Sequence, residues 1–158
     1  KGMAVDAAIA ELAARGLERF AVDAGGDLRV FGLPAGEGSW TVAVETPKGD
    51  VDIALAAGAL ATSSVLGRRW RMGSEEMHHL LDARSGRPAA AGVLAVTVAA
   101  PTCEEAEVAA KTALLLGDRA GRLHLEALGF DGLISLDGGG SIRAGNWPSP
   151  EPEVEVET

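Results

Sequence analysis

The segment Asp23-Ala-Gly-Gly-Asp-Leu-Arg29 is echoed by Asp137-Gly-Gly-Gly-Ser-Ile-Arg143, and each copy follows a helical pattern that ends in glycine at nearly the same distance upstream. Helix followed by glycine-turned hairpin is thus predicted twice. That restricts the chain to architectures in which helices lead into antiparallel strand pairs. Self-similarity of this kind marks a duplicated unit, or else a chance match among permissive glycines.

Other elements follow from periodicity. Val5, Ile9 and Leu12 recur at helical spacing between Met3 and Arg15, and Gly16 ends the run. Arg19–Asp23 and Asp27–Phe31 flank a glycine link and predict a hairpin. Trp40–Glu45 and Val51–Leu55, joined by a proline-glycine turn, predict a second one. Val93–Val98 is β-branched on both parities and reads as a central strand covered on two faces. Thr102 with Glu105 forms a capping box for a helix over 103–116, stopped by Gly117. A short helix over Arg119–Leu128 and strands at Leu133–Leu136 and Ser141–Ala144 complete the second copy. The segment 146–158 alternates acid with proline or valine and is expected to be a mobile tail beyond a folded unit spanning 1–145.

At 158 residues, 47% of them hydrophobic, one domain or at most two small ones is expected. With no Tyr, three Trp and three Phe, its core must be built from Ala, Val and Leu. The net charge of −9 repels nucleic-acid phosphates and anionic lipid headgroups, which argues against partners of either class. The single cysteine, Cys103, excludes an internal disulfide or a multi-cysteine metal site. No apolar run approaches the ~20 residues of a membrane-spanning helix, and the opening residues show no secretory pattern.

Three segments have side chains able to do chemistry. Gly25-Gly26-Asp27 either lets a phosphate or ribose approach bare backbone or is only a tight turn. His78 and His79 open a stretch running to Asp82, Arg84, Ser85 and Pro88, which is either a polar site or a surface turn. Glu107 and Lys111, at i and i+4, are either a solvated ion pair or a carboxylate for a hard cation beside a phosphate-neutralising ammonium. Neither a strand-GxGxxG-helix order, nor GxxxxGK[ST], nor GxSxG occurs, which argues against Rossmann and Walker nucleotide sites and against a serine hydrolase.

Taken in order, these segments resemble the ApbE family of flavin transferases. Lys1-Gly-Met-Ala-Val-Asp6 is similar to that family's KG-x-AVD, Gly25-Gly-Asp27 to its GGD, and Ala61-Thr-Ser-Ser64 to its ATSG. His78-His-Leu-Leu-Asp-Ala-Arg-Ser-Gly-Arg-Pro88 is similar to HHILDPRTGxP, and Ala106–Ala113 to its ADALATA helix. The resemblance implies an α+β fold with helices packed on antiparallel sheet and a T-fold-like internal duplication. It further implies that FAD is bound and, with Mg²⁺, that its FMN half moves to a Ser or Thr hydroxyl of a partner protein, releasing AMP. By motif position Lys1, Asp6, Gly25, Gly26, Asp27, Ser63 and His79 fall in or near the flavin nucleotide site, with His79 as the candidate catalytic group. The alternative is a flavin-binding protein without transferase activity, and assembly into a homo-oligomer is a further expectation.

Two departures bear on the chemistry. Counting back from Gly117, the family's metal-binding Asp corresponds to Glu107 and its metal-binding Thr to Lys111. A protonated ammonium does not ligate a cation, so Lys111 is a candidate stand-in for it at the nucleotide. The chain also opens at a motif near the middle of the family pattern. The part before that motif is expected to supply some of the FAD pocket and another metal ligand.

Overall fold

The computed structural model describes residues 1–46, 48–83, 85–89 and 92–148. In chain order the elements are α1 (Gly2–Ala14), β1 (Phe20–Asp23), β2 (Leu28–Phe31), β3 (Trp40–Val44), β4 (Val51–Leu55), β5 (Gly58–Ser64), β6 (Arg69–Met72), β7 (Glu75–His78), β8 (Val93–Ala100), α2 (Cys103–Leu116), α3 (Asp118–Leu128), β9 (Asp131–Leu136) and β10 (Ser141–Ala144). Six strands form one sheet in the order β1-β2-β5-β8-β9-β10, and every neighbouring pair is antiparallel. α1 lies on β1 and β2, α2 on β5 and β8, and α3 on β9 and β10, with α2 touching both other helices. The helices therefore share one face, which gives the expected α+β class.

The echo seen in the sequence has a geometric counterpart. α1-β1-β2 and α3-β9-β10 run in the same direction across the sheet, and strand polarity alternates, so stepping four strands across carries one unit onto the other. Gly25 and Gly26 in one turn and Gly139 in the other have positive φ, a region that glycine enters without steric cost.

The layers are held by small residues. On the helix side Ala106, Ala109, Ala110 and Ala113 of α2 bring that helix close to Val96 and Val98 of β8, while Leu125 of α3 packs near Ile134 of β9. Full burial of each such Val, Leu or Ile contributes about 1.5–3 kcal/mol. The opposite face is covered in part by the β3-β4 hairpin, through Val44, Ile53 and Leu55 against Val30, Leu60 and Leu133. Trp147 joins that cluster, and the Asn146 N–H donates to Asp131 Oδ1 at 2.7 Å. Both residues thus belong with the folded part and not with the tail to which their sequence assigned them. The rest of that tail, from Ser149 on, lies outside the described residues.

Two features depart from expectation. β5 has a Gly-Ala-Leu-Ala-Thr-Ser-Ser sequence of weak strand propensity, yet it pairs with β2 and β8 because only small side chains fit beneath α2. The polar stretch after it contains a second small hairpin, β6-β7, turned at Gly73 and exposed along β6. No described helix is long and apolar enough to cross a membrane.

Candidate functional site

The site is organised where the first turns of α1 and α2 meet. Thr102 and Glu105 cap α2 reciprocally, as the sequence predicts. That leaves the first two helical N–H groups, and Asp6 takes both: Cys103 N–H donates to Oδ1 at 3.0 Å and Glu104 N–H to Oδ2 at 2.9 Å. Burial pushes the Asp6 carboxyl up, but those N–H groups and the Arg29 guanidinium, 2.6 Å away, outweigh it and hold the group below its ordinary range.

Glu107 returns the favour to α1. The Gly2 N–H donates to its Oε2 at 2.7 Å, the Lys1 α-nitrogen to the same oxygen at 3.1 Å, and Lys111 Nζ to Oε1 at 3.3 Å. The Gly2 N–H is the largest influence holding the Glu107 carboxyl down at about 2. Each helix is thus capped by a carboxylate of the other. A Cβ on Gly2 would lie 2.5 Å from the Cys103 carbonyl oxygen, so glycine is what allows this approach. Cys103 lies within the same junction: burial, and then the nearby Asp27, Asp6 and Glu107 charges, push its thiol up to about 12.

From this junction the Lys1 side chain reaches the glycine turn. Its ammonium donates to the carbonyls of Ala24 at 3.2 Å and Gly25 at 3.1 Å and lies 3.1 Å from Asp27 Oδ2. Asp27 is almost fully buried, and its Oδ2 is paired with Lys1 by charge without accepting a hydrogen bond of good geometry. Beside the turn opens a cavity of about 470 Å³, lined by Gly25, Gly26, Leu28, Val42, Val44, Leu60, Thr62, Ser64 and Thr97, with Asp23 and Glu45 at acidic positions. Its size lies in the range of small-molecule sites. Apolar side chains with three hydroxyls among them suit a flat ring system with polar edges, and no side chain blocks the backbone at Gly25 and Gly26.

Lys1, Asp6, Gly25, Gly26, Asp27, Glu107 and Lys111 are therefore brought into one continuous region. Among the described residues no hydrogen bond or ion pair joins Ser63 or His79 to that region. Ser63 shares the parity of Ala59 and Ala61 and faces the helices, whereas Thr62 and Ser64 face the cavity. His79 is exposed in the bend after β7 and is not among the residues lining the cavity. Its neighbour His78 has a buried Nδ1 with no hydrogen-bond partner among the described residues. Arg84, within the same motif, lies outside the described residues. Arg29, Thr62, Ser64 and Thr97 were missed; strand parity would have found Thr62 and Ser64 once β5 was recognised as a strand.

A helix layer on an antiparallel sheet, with a lysine and a glycine-aspartate turn beside a cavity, defines the class as an α+β module. The ApbE family model matches residues 1–134, and the chain belongs to that family. It is 30% identical to the FAD:protein FMN transferase of Vibrio cholerae over 132 residues, covering 80% of this chain and 40% of that one. Against the FAD:protein FMN transferase of Escherichia coli K12 the identity is 27%, over 96% of this chain and 44% of that one. Among solved structures, the ApbE protein of Thermotoga maritima matches with a TM-score of 0.81 and 32% identity, covering 90% of this chain and 48% of that one. The apo form of the Pseudomonas stutzeri flavinyl transferase ApbE matches at 0.77 and 26%, covering 90% and 46%. The chain spans less than half the length of each of these relatives.

The Mg²⁺ implied by the family resemblance does not fit the donors present. Mg²⁺ requires oxygen ligands in near-octahedral array at about 2.0–2.1 Å. Both Glu107 oxygens already accept hydrogen bonds, the side chain one turn on is an ammonium, and no cluster of three His, Cys, Asp or Glu able to hold a metal occurs among the described residues.

Proposed function

We propose that this chain forms part of an FAD:protein FMN transferase, holding FAD at the Lys1–Asp27 turn and the adjoining cavity. The observation that carries this reading is that Lys1, joined to Glu107 and Lys111 from far along the chain, holds Asp27 and the glycine turn whose Gly25 and Gly26 line that cavity. Lys1 orients the turn by binding two of its carbonyls, and the glycines leave backbone open to the nucleotide. Leu28, Val42 and Leu60 exclude water from the apolar ring, and the Thr62 and Thr97 hydroxyls meet its polar edge.

The reaction is a displacement at phosphorus. The Ser or Thr hydroxyl oxygen of an acceptor protein bonds to the FMN phosphorus, the bond from that phosphorus to the bridging oxygen breaks, and AMP leaves with the bridging oxygen. The hydroxyl proton passes to a general base or to water.

The test incubates the full-length chain that carries these residues with FAD and a Ser/Thr acceptor peptide and weighs the peptide by mass spectrometry. An added FMN mass is expected. Bound flavin with no adduct at any enzyme concentration would refute transfer.

A further inference from the structure

We propose that the Lys111 ammonium takes the place of a divalent cation beside Glu107, so that this chain holds the FAD diphosphate without a metal ion. This rests on the FAD-binding reading above and specifies how that site meets the charge of its ligand.

Five observations carry it. Glu107 is engaged as a cap: its Oε2 accepts from the Gly2 N–H and its Oε1 from Lys111, so a metal ion reaching this carboxylate would meet an ammonium beside it. Arg29 is likewise engaged with Asp6, which leaves Lys1 and Lys111 as the cations of the junction. Their ammonium groups stand at the two ends of this junction, Lys111 Nζ on Glu107 and Lys1 Nζ on the carbonyls of the glycine turn. Asp23 and Glu45 meanwhile line the cavity, so a diphosphate approaching it needs positive charge nearby. Lys111 is about half exposed, at 48%, so its four-carbon stem is able to swing toward an incoming phosphate while Gly2 still holds Glu107.

A lysine in this role behaves differently from a metal. Its charge is permanent at neutral pH and insensitive to chelators, and its presence repels a second cation. Binding of FAD should therefore be the same with and without Mg²⁺, and the protein without flavin should not take up a metal.

Flavin fluorescence titrations on the full-length chain, in EDTA and in excess Mg²⁺, provide the first readout, and Mn²⁺ uptake followed by electron paramagnetic resonance provides the second. The dissociation constant for FAD is expected to differ by less than about twofold between the two media, with no stoichiometric Mn²⁺ binding. Lys111→Met should weaken FAD binding in EDTA by about tenfold and Lys111→Arg should restore it, which shows that charge and not folding is being tested. Lys111→Thr is expected to gain Mg²⁺-dependent binding. Stoichiometric Mn²⁺ binding by the unaltered chain, FAD binding that needs Mg²⁺, or full affinity in Lys111→Met would each overturn the proposal. Absence of FAD binding in both media and in every variant would instead refute the flavin reading itself.

Discussion

Glu107 joins two helices, Lys1 and Lys111 through one carboxylate. Its folded-state value near 2 lies below the ordinary 4.5, so its contribution to stability is fully present above pH 4.5 and is lost as pH falls through about 2. Glu107→Gln keeps the shape and the ability to accept a hydrogen bond but not the charge. The stability difference between the unaltered chain and this variant should be largest above pH 4.5 and shrink toward zero near pH 2. Urea unfolding at a series of pH values measures it. A difference that stays constant across that interval would mean that the carboxylate charge contributes nothing to the junction.

Among the elements, α2 is approached closely from both sides, and each approach depends on a glycine. A Cβ at Gly2 of α1 would meet the Cys103 carbonyl, and one at Gly121 of α3 would meet the Ala113 carbonyl. In an exposed helix interior Gly→Ala is worth about 1 kcal/mol of added stability from propensity alone. Here the new methyl meets backbone, which cannot rotate away, and overpacking of this kind costs about 1–3 kcal/mol. Gly2→Ala and Gly121→Ala should therefore both lower the thermal midpoint. They should part company in function: displacing α1 moves Lys1 from Asp27 and weakens FAD binding, whereas displacing α3 leaves that turn in place. Thermal unfolding paired with flavin titration separates the two effects, and equal loss of FAD affinity in both variants would contradict the role given to α1.

At the scale of the whole molecule, what the sequence made legible was set by how locally each feature is encoded. The capping box of α2, the helix-hairpin echo and the β-branched β8 are local signals, and each recurs in the fold. β5 was not legible, because Ala and Ser occupy it for the sake of a helix fifty residues away. The burial of Trp147 was hidden by the prolines beside it. Of the site, motif order brought out Lys1, Asp27 and Glu107, but the cavity floor depends on parity: Thr62 and Thr97 lie opposite each other in register, on the face away from the helices, with their hydroxyls 2.9 Å apart. That pair offers a test in which stability and binding diverge. Removing one hydroxyl leaves the other short of a partner in a partly buried place, at a cost of about 1–3 kcal/mol, whereas replacing both with valine is nearly neutral. Thr62→Val and Thr97→Val should each destabilise the chain, and the double variant should recover most of that loss. If the two hydroxyls meet the polar edge of the flavin, the double variant will nonetheless bind FAD about tenfold more weakly than the unaltered chain. Recovered stability with unchanged affinity would remove these threonines from the flavin site while leaving the Lys1–Asp27 turn as its anchor.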